Sequence, residues 1–216
     1  MKMSGHMRKY FLYVALLGIP FICKAGGFEG SIFMVKESCY DTAFYNYYVS
    51  DGKIRIEKFN SKKLLQNVYI INTTNEEVYI VDPAKKLYAK LKRKSPETNN
   101  EAEYTILKTS NSKLINGVRC FQWRVKSREK NTEISYWVTQ NNFDFFEKMV
   151  KVINQTDLNW DFFNRIPQAQ GFFPMLSVER NLVRDEKNRT SVLQINRRSI
   201  DSAMFRIPSD YKLFAI

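Results

Sequence analysis

The sequence predicts a mainly β fold of the α+β kind: a long antiparallel sheet with a short helical segment covering its apolar face. Three observations predict it. Apolar and polar residues alternate with period two through most of the chain beyond residue 26. Tight-turn dipeptides, Asp51-Gly52 and Asn116-Gly117, separate several of those runs. From Phe143 the alternation gives way to spacings of three and four, the mark of a helix with one apolar face.

Residues 1–25 read as a cleavable export signal. Arg8 and Lys9 form a positive n-region, residues 10–22 are an apolar run, and Cys23-Lys24-Ala25 places small residues at −3 and −1 of a cut before Gly26. A run of about a dozen residues falls short of the roughly 20 that span a bilayer as a helix, so no transmembrane helix is expected in the mature chain. Cys23 follows Pro20-Phe21-Ile22, and bulky Ile22 stands where a lipidation signal keeps a small residue. Cleavage after Ala25 therefore fits better than a lipid-anchored outer-membrane form. The expected location is the periplasm or the medium, with residues 26–216 as a single β-rich domain.

The strands follow in order. Residues 28–35 open the domain, and Asp51-Gly52 turns 44–50 into 53–58. Residues 68–72 and 77–81 flank Thr73-Thr74-Asn75, and Asp82-Pro83 leads into 86–91. The polar stretch 94–103 reads as a surface loop. Beyond it, 104–109 and 113–115 lead into Asn116-Gly117, the strongest hairpin signal in the chain. Residues 118–126 and 133–139 continue the meander with a heavy aromatic load. The helix is expected over 143–153 with Asn141 or Asn142 as its N-cap. A second short helix is expected over 157–165, capped by Thr156 and ending before Pro167. Strands return at 172–180 and 190–198, and the chain ends on Phe205 and an Ile207-Pro208 turn.

Composition limits the chemistry. The only histidine, His6, lies in the export signal, so a mature Ser-His-Asp or Cys-His arrangement and a histidine metal site are excluded. No Cys-x-x-Cys pair, glycine-rich phosphate loop or calcium loop occurs. No catalytic residue, metal ligand or cofactor is assigned. Cys39 and Cys120 remain as an even pair that one disulfide could join in an oxidising compartment. Loss of residues 1–25 leaves 30 basic against 22 acidic residues, a net charge of +8. That charge suits anionic surroundings such as lipid headgroups, sugars or acidic proteins, and export argues against a nucleic-acid partner.

Several segments together resemble a known group. They are Phe28-Glu29-Gly30-Ser31-Ile32, the turn Ile115-Asn116-Gly117-Val118-Arg119-Cys120, and Tyr136-Trp137-Val138-Thr139. After the helix come Gly171-Phe172-Phe173-Pro174-Met175 and Phe205-Arg206-Ile207-Pro208-Ser209-Asp210-Tyr211. The chain resembles uncharacterised exported bacterial domains of unknown function related to the LolA/LolB lipoprotein-carrier fold. The resemblance implies an incomplete antiparallel β-barrel with helices lying in its mouth over an apolar cavity. None of these motifs is catalytic, and fold alone does not transmit function.

Two non-enzymatic functions follow as expectations. The first is binding of a lipid, an acyl chain or a lipidated protein tail in the half-barrel. Its candidate lining is Phe143, Phe146, Met149 and Val150 on the helix, Trp137 before it, and Phe172, Phe173 and Met175 after it. The same residues would also serve as ordinary packing between helix and sheet. Lys148 and Lys151 stand on the polar side of the helix, where a headgroup could meet them. The second is an envelope assembly or protein-interaction module using the aromatic strand that carries Phe44, Tyr45, Tyr47 and Tyr48.

Overall fold

The computed structural model describes residues 27–92, 104–153, 160 and 162–214. The expected export signal, the expected surface loop of 94–103 and the expected cap Thr156 lie outside the described residues.

The alternating runs become strands as expected. β1 (Gly30–Ser38), β2 (Thr42–Ser50), β3 (Lys53–Phe59), β4 (Leu65–Asn72), β5 (Glu77–Asp82) and β6 (Leu87–Lys90) form an antiparallel meander. Asp51 and Gly52 take φ of 45° and 72°, and Asn116 and Gly117 take 51° and 76°. Both pairs thus adopt the left-handed backbone that two-residue hairpins need. β7 (Tyr104–Ile115), β8 (Val118–Ser127) and β9 (Thr132–Gln140) make a second meander, followed by β10 (Phe172–Arg180), β11 (Glu186–Arg197) and β12 (Lys212–Leu213). All twelve belong to one unclosed sheet of order β12-β6-β5-β4-β3-β2-β1-β11-β10-β9-β8-β7. This is the incomplete barrel that the sequence led us to expect.

Period two decides what faces the core. On β2, Ala43, Tyr45, Tyr47 and Val49 point inward, joined by Ile32 and Met34 on β1 and Ile54 and Ile56 on β3. β4 differs, because Val68-Tyr69-Ile70-Ile71 is continuously apolar. Tyr69 and Ile71 join the inner core, whereas Val68 and Ile70 form a smaller outer cluster with Val81, Tyr79, Tyr88, Ile207 and Tyr211. A strand covered on both faces reads as such a run. Register shifts at Phe33/Met34, Lys58/Phe59, Lys108/Ser112 and Pro174/Leu176 are bulges of the kind that bend a sheet towards closure.

Five details differ from expectation. The segments 104–109 and 113–115 are one strand, whose extra residues bulge opposite Gln122. Thr109 Oγ1 donates to the Gln122 carbonyl at 3.0 Å, and Asn111 Nδ2 donates to Gln122 Oε1 at 3.2 Å. The helix α1 (Asp144–Val152) is capped by Phe143 without a side-chain bond, not by Asn141 or Asn142. Asn142 instead turns the chain at φ 55°, its carbonyl accepting from the Phe28 N–H at 2.9 Å. The described part of the second expected helix is a single 3-10 turn, Phe163–Arg165, and Ile166 is already extended, as a residue before proline tends to be. β12 lies outside the expected strands and pairs parallel to β6, the one parallel ladder among the described residues. Finally, Cys39 and Cys120 are free thiols, so the pairing that the sequence allowed is not made. Cys39 is exposed beyond β1, and Cys120 is buried on β8, four strands further along the sheet. Among the described residues no helix is long and apolar enough to cross a membrane.

Candidate functional site

α1 lies against the inner face of the sheet because its apolar positions share one side. Phe145, Phe146, Met149, Val150 and Val152 are buried, while Asp144, Lys148 and Lys151 face solvent. Phe146 is wholly buried. Its ring centroid lies 5.0 Å from Trp160, 5.1 Å from Phe163 and 4.9 Å from Phe173. Phe143 extends the same cluster, 4.9 Å from Phe173 and 5.0 Å from Phe28. Such tilted and edge-on pairs are favoured beyond simple area burial.

Among the described residues, the helix has few polar ties to its surroundings. The Phe143 N–H donates to the Gly171 carbonyl at 3.4 Å, a long bond, and Asn164 Nδ2 approaches the Val150 carbonyl at 3.5 Å. Lys151 donates to Glu147 at 2.6 Å, an ion pair within the helix itself. What holds α1 on the sheet is therefore ring and alkyl packing.

All eight expected lining residues belong to this cluster or pack against it. Phe143, Phe146, Met149, Val150, Phe173 and Met175 are buried in one cluster, and Phe172 packs at its margin, its ring 4.6 Å from Trp123. Trp137, between the fully buried Tyr136 and Val138 on β9, is only partly buried and packs at the cluster's margin. There the Lys113 ammonium lies 4.1 Å from its ring. Burial, with Arg189 nearby, holds that lysine below its ordinary pKa.

Sequence reasoning left Tyr47, Tyr136, Trp160 and Phe163 out of the site, though each belongs to the same cluster. For Tyr47 and Tyr136 the signal was available in strand parity. Tyr47 alternates inward with Tyr45, and this also removes both from any exposed aromatic surface on β2. Phe44 instead stacks on Phe33, ring centroids 6.0 Å apart.

Residues 28–211 match a family described as a domain of unknown function, DUF4412. The chain belongs to the DUF4412 family. Among solved structures, it is similar to an uncharacterised conserved protein from Thermus thermophilus, with a TM-score of 0.55 at 10% identity over 86% of this chain and 89% of that one. That likeness is one of fold. MucB is similar at a TM-score of 0.49 and 10% identity, over 87% of this chain and 59% of that one. An outer membrane lipoprotein-sorting protein domain from Vibrio parahaemolyticus is similar at 0.32 and 8% identity, over 82% and 87%. No curated protein matches the sequence.

Burial pushes the Cys120 thiol up to about 11, which keeps it protonated and unreactive at neutral pH. Among the described residues no group of three or more His, Cys, Asp or Glu side chains could hold a metal ion. A groove of about 340 Å³ lies on the outer face, away from α1, between Ile70 and Tyr79 of the sheet and Phe205 and Ile207 of the C-terminal segment.

Proposed function

We propose that this chain is exported and serves as a non-enzymatic binding protein, taking a lipid, an acyl chain or the acylated end of a lipoprotein onto its inner face in place of α1. One observation carries this reading: among the described residues, α1 covers an aromatic face mainly through apolar contacts. An alkyl chain can replace such contacts without leaving hydrogen bonds broken, whereas a helix tied by polar bonds would resist exchange. Export rests on the n-region, apolar run and small-residue cut of residues 1–25. The mature domain, 26–216, then works in the periplasm or outside the cell. Of the aromatic strand in the interaction-module alternative, Tyr45 and Tyr47 are buried, and Phe44 and Tyr48 stay half-buried on its other face.

The test is native mass spectrometry of protein exported from a bacterial host, before and after denaturing organic extraction. A discrete mass excess that extraction removes supports an apolar ligand, and the same spectrum reads whether the chain begins at Gly26 or at a lipidated Cys23. A protein that stays at its bare mass when incubated with monoacylglycerol and with lysophospholipid contradicts the reading.

A further inference from the structure

The two edges of the sheet are finished differently. On one side the C-terminal β12 pairs with β6, so the chain covers that edge itself. On the other side β7 is the last strand, and among the described residues none pairs with its outer side over Tyr104–Ile115. A long open edge presents a row of unpaired N–H and C=O groups, a template for another extended chain.

The hairpin geometry identifies those groups. Asn116 and Gly117 form a two-residue turn, so Ile115 and Val118 exchange both of their backbone bonds. Bonded and non-bonded pairs then alternate, and Leu114 with Arg119 and Ser112 with Phe121 are pairs of the second kind. The N–H and C=O of Ser112 and Leu114 therefore point away from β8, towards the open edge. Their side chains share one face with Arg119 and Phe121, the residues directly opposite. That face is open, with Leu114 68% exposed, Phe121 39% exposed and Arg119 exposed beside them.

Charge selects the partner. Residues 104–127 carry five basic side chains, Lys108, Lys113, Arg119, Arg124 and Lys126, and no acidic one. Glu133 of β9 meets Arg124, and the Pro167 carbonyl accepts from Lys108 at 2.6 Å without neutralising it. A second copy of this chain pairing β7 against β7 would bring like charges together, which is how edge lysines deter self-association. An acidic strand meets the same lysines and arginines with opposite charge, and the exposed Leu114 and Phe121 offer its alternate side chains apolar contact.

We propose that the open edge of β7 is a docking site for an acidic, extended segment of another protein, which adds to the sheet as its next strand beside Ser112 and Leu114. The proposal needs no displacement of α1 and is independent of the acyl-binding reading.

The experiment titrates mature protein with a short fluorescein-labelled peptide that alternates Glu with Val and Thr, and with a counterpart carrying Lys at each Glu position, by fluorescence anisotropy. The acidic peptide should bind at least about tenfold more tightly than the basic one. Bound acidic peptide should slow amide exchange at Ser112 and Leu114, whose N–H groups face outward, and change Lys113 and Ile115 little. Leu114→Pro removes an outward donor and leaves the ladder to β8 intact, as edge prolines do, and should weaken the acidic peptide by about tenfold or more. Leu114→Ala keeps the donor and should stay within about threefold of wild type, and Arg119→Glu should weaken binding by about fivefold. Should Leu114→Pro fail to fold, the exchange pattern of the wild-type protein decides alone. The site is overturned if the acidic peptide does not bind, if the basic peptide binds as tightly, or if binding leaves Ser112 and Leu114 unprotected. It is equally overturned if folded Leu114→Pro keeps full affinity. Protection of Ser112 and Leu114 by self-association without peptide, or by phosphatidylglycerol vesicles and not by the peptide, would give the edge a different occupant and overturn the proposal.

Discussion

On the inner face of the sheet, α1 rests on Phe173, Phe163 and Trp160 through ring contacts, with a long bond to Gly171 at its start. On the outer face, the C-terminal segment covers a much smaller apolar cluster but is tied down by directional bonds. Glu29 Oε1 accepts from the Ile200 N–H at 3.1 Å and from Ser50 Oγ at 3.0 Å. Arg55 Nη1 donates to the Met204 carbonyl at 3.1 Å, and Lys86 pairs with Asp210 at 2.8 Å. The segment then enters the sheet itself, with the Lys212 N–H donating to the Lys86 carbonyl at 3.0 Å and the Phe214 N–H to the Tyr88 carbonyl at 2.7 Å. Among the described residues, the first cover meets a large apolar cluster with few polar ties, and the second a small one with many. Apolar contacts can be traded for those of another apolar body, but a ladder of hydrogen bonds cannot, so the inner cover is the exchangeable one.

Substitutions can break or sharpen this contrast. The largest effect is expected from Phe146→Ala, which removes a fully buried ring with three aromatic neighbours. Chemical denaturation should show a loss of about 3–5 kcal/mol. Ile70→Ala, in the outer cluster, should cost less, about 2 kcal/mol, because fewer buried neighbours surround it. A larger loss at Ile70 than at Phe146 would reverse the ranking of the two faces. Arg55→Ala should cost about 1–2 kcal/mol, and amide exchange should rise across 200–206 while α1 keeps its protection.

The smallest effect is that of acid. The Lys86 ammonium holds Asp210 below the usual carboxylate range, and the Ile200 N–H does the same for Glu29. A carboxylate depressed on folding contributes stability above its unfolded pKa and loses it as pH falls through the folded value. Protection of residues 199–214, corrected for intrinsic exchange, should therefore decline modestly as pH falls through the carboxylate range. The α1 contacts with the sheet, being apolar, should be less affected.

Much of this was legible in the sequence, for physical reasons. Asp51-Gly52 and Asn116-Gly117 declare hairpins because few other dipeptides accept left-handed backbone cheaply. The bounds of Phe172–Arg180 are those the sequence predicts, and α1 agrees to within a residue at each end, because the period changes sharply at Phe143. The N-cap differs because Asn142 serves the turn before the helix and not the helix itself. β12 and the ties of the C-terminal segment were illegible, since Arg55 meets Met204 and Lys86 meets Asp210 only through long-range folding.

The central claim is that α1 is the exchangeable cover and the C-terminal segment the fixed one. Hydrogen–deuterium exchange of the mature protein, with and without saturating monooleoylglycerol, tests it most directly. The account predicts that ligand lowers protection over residues 144–152 and leaves residues 200–211 unchanged. Unchanged or increased protection of α1 with ligand demonstrably bound, or loss of protection at 200–211 instead, would contradict it.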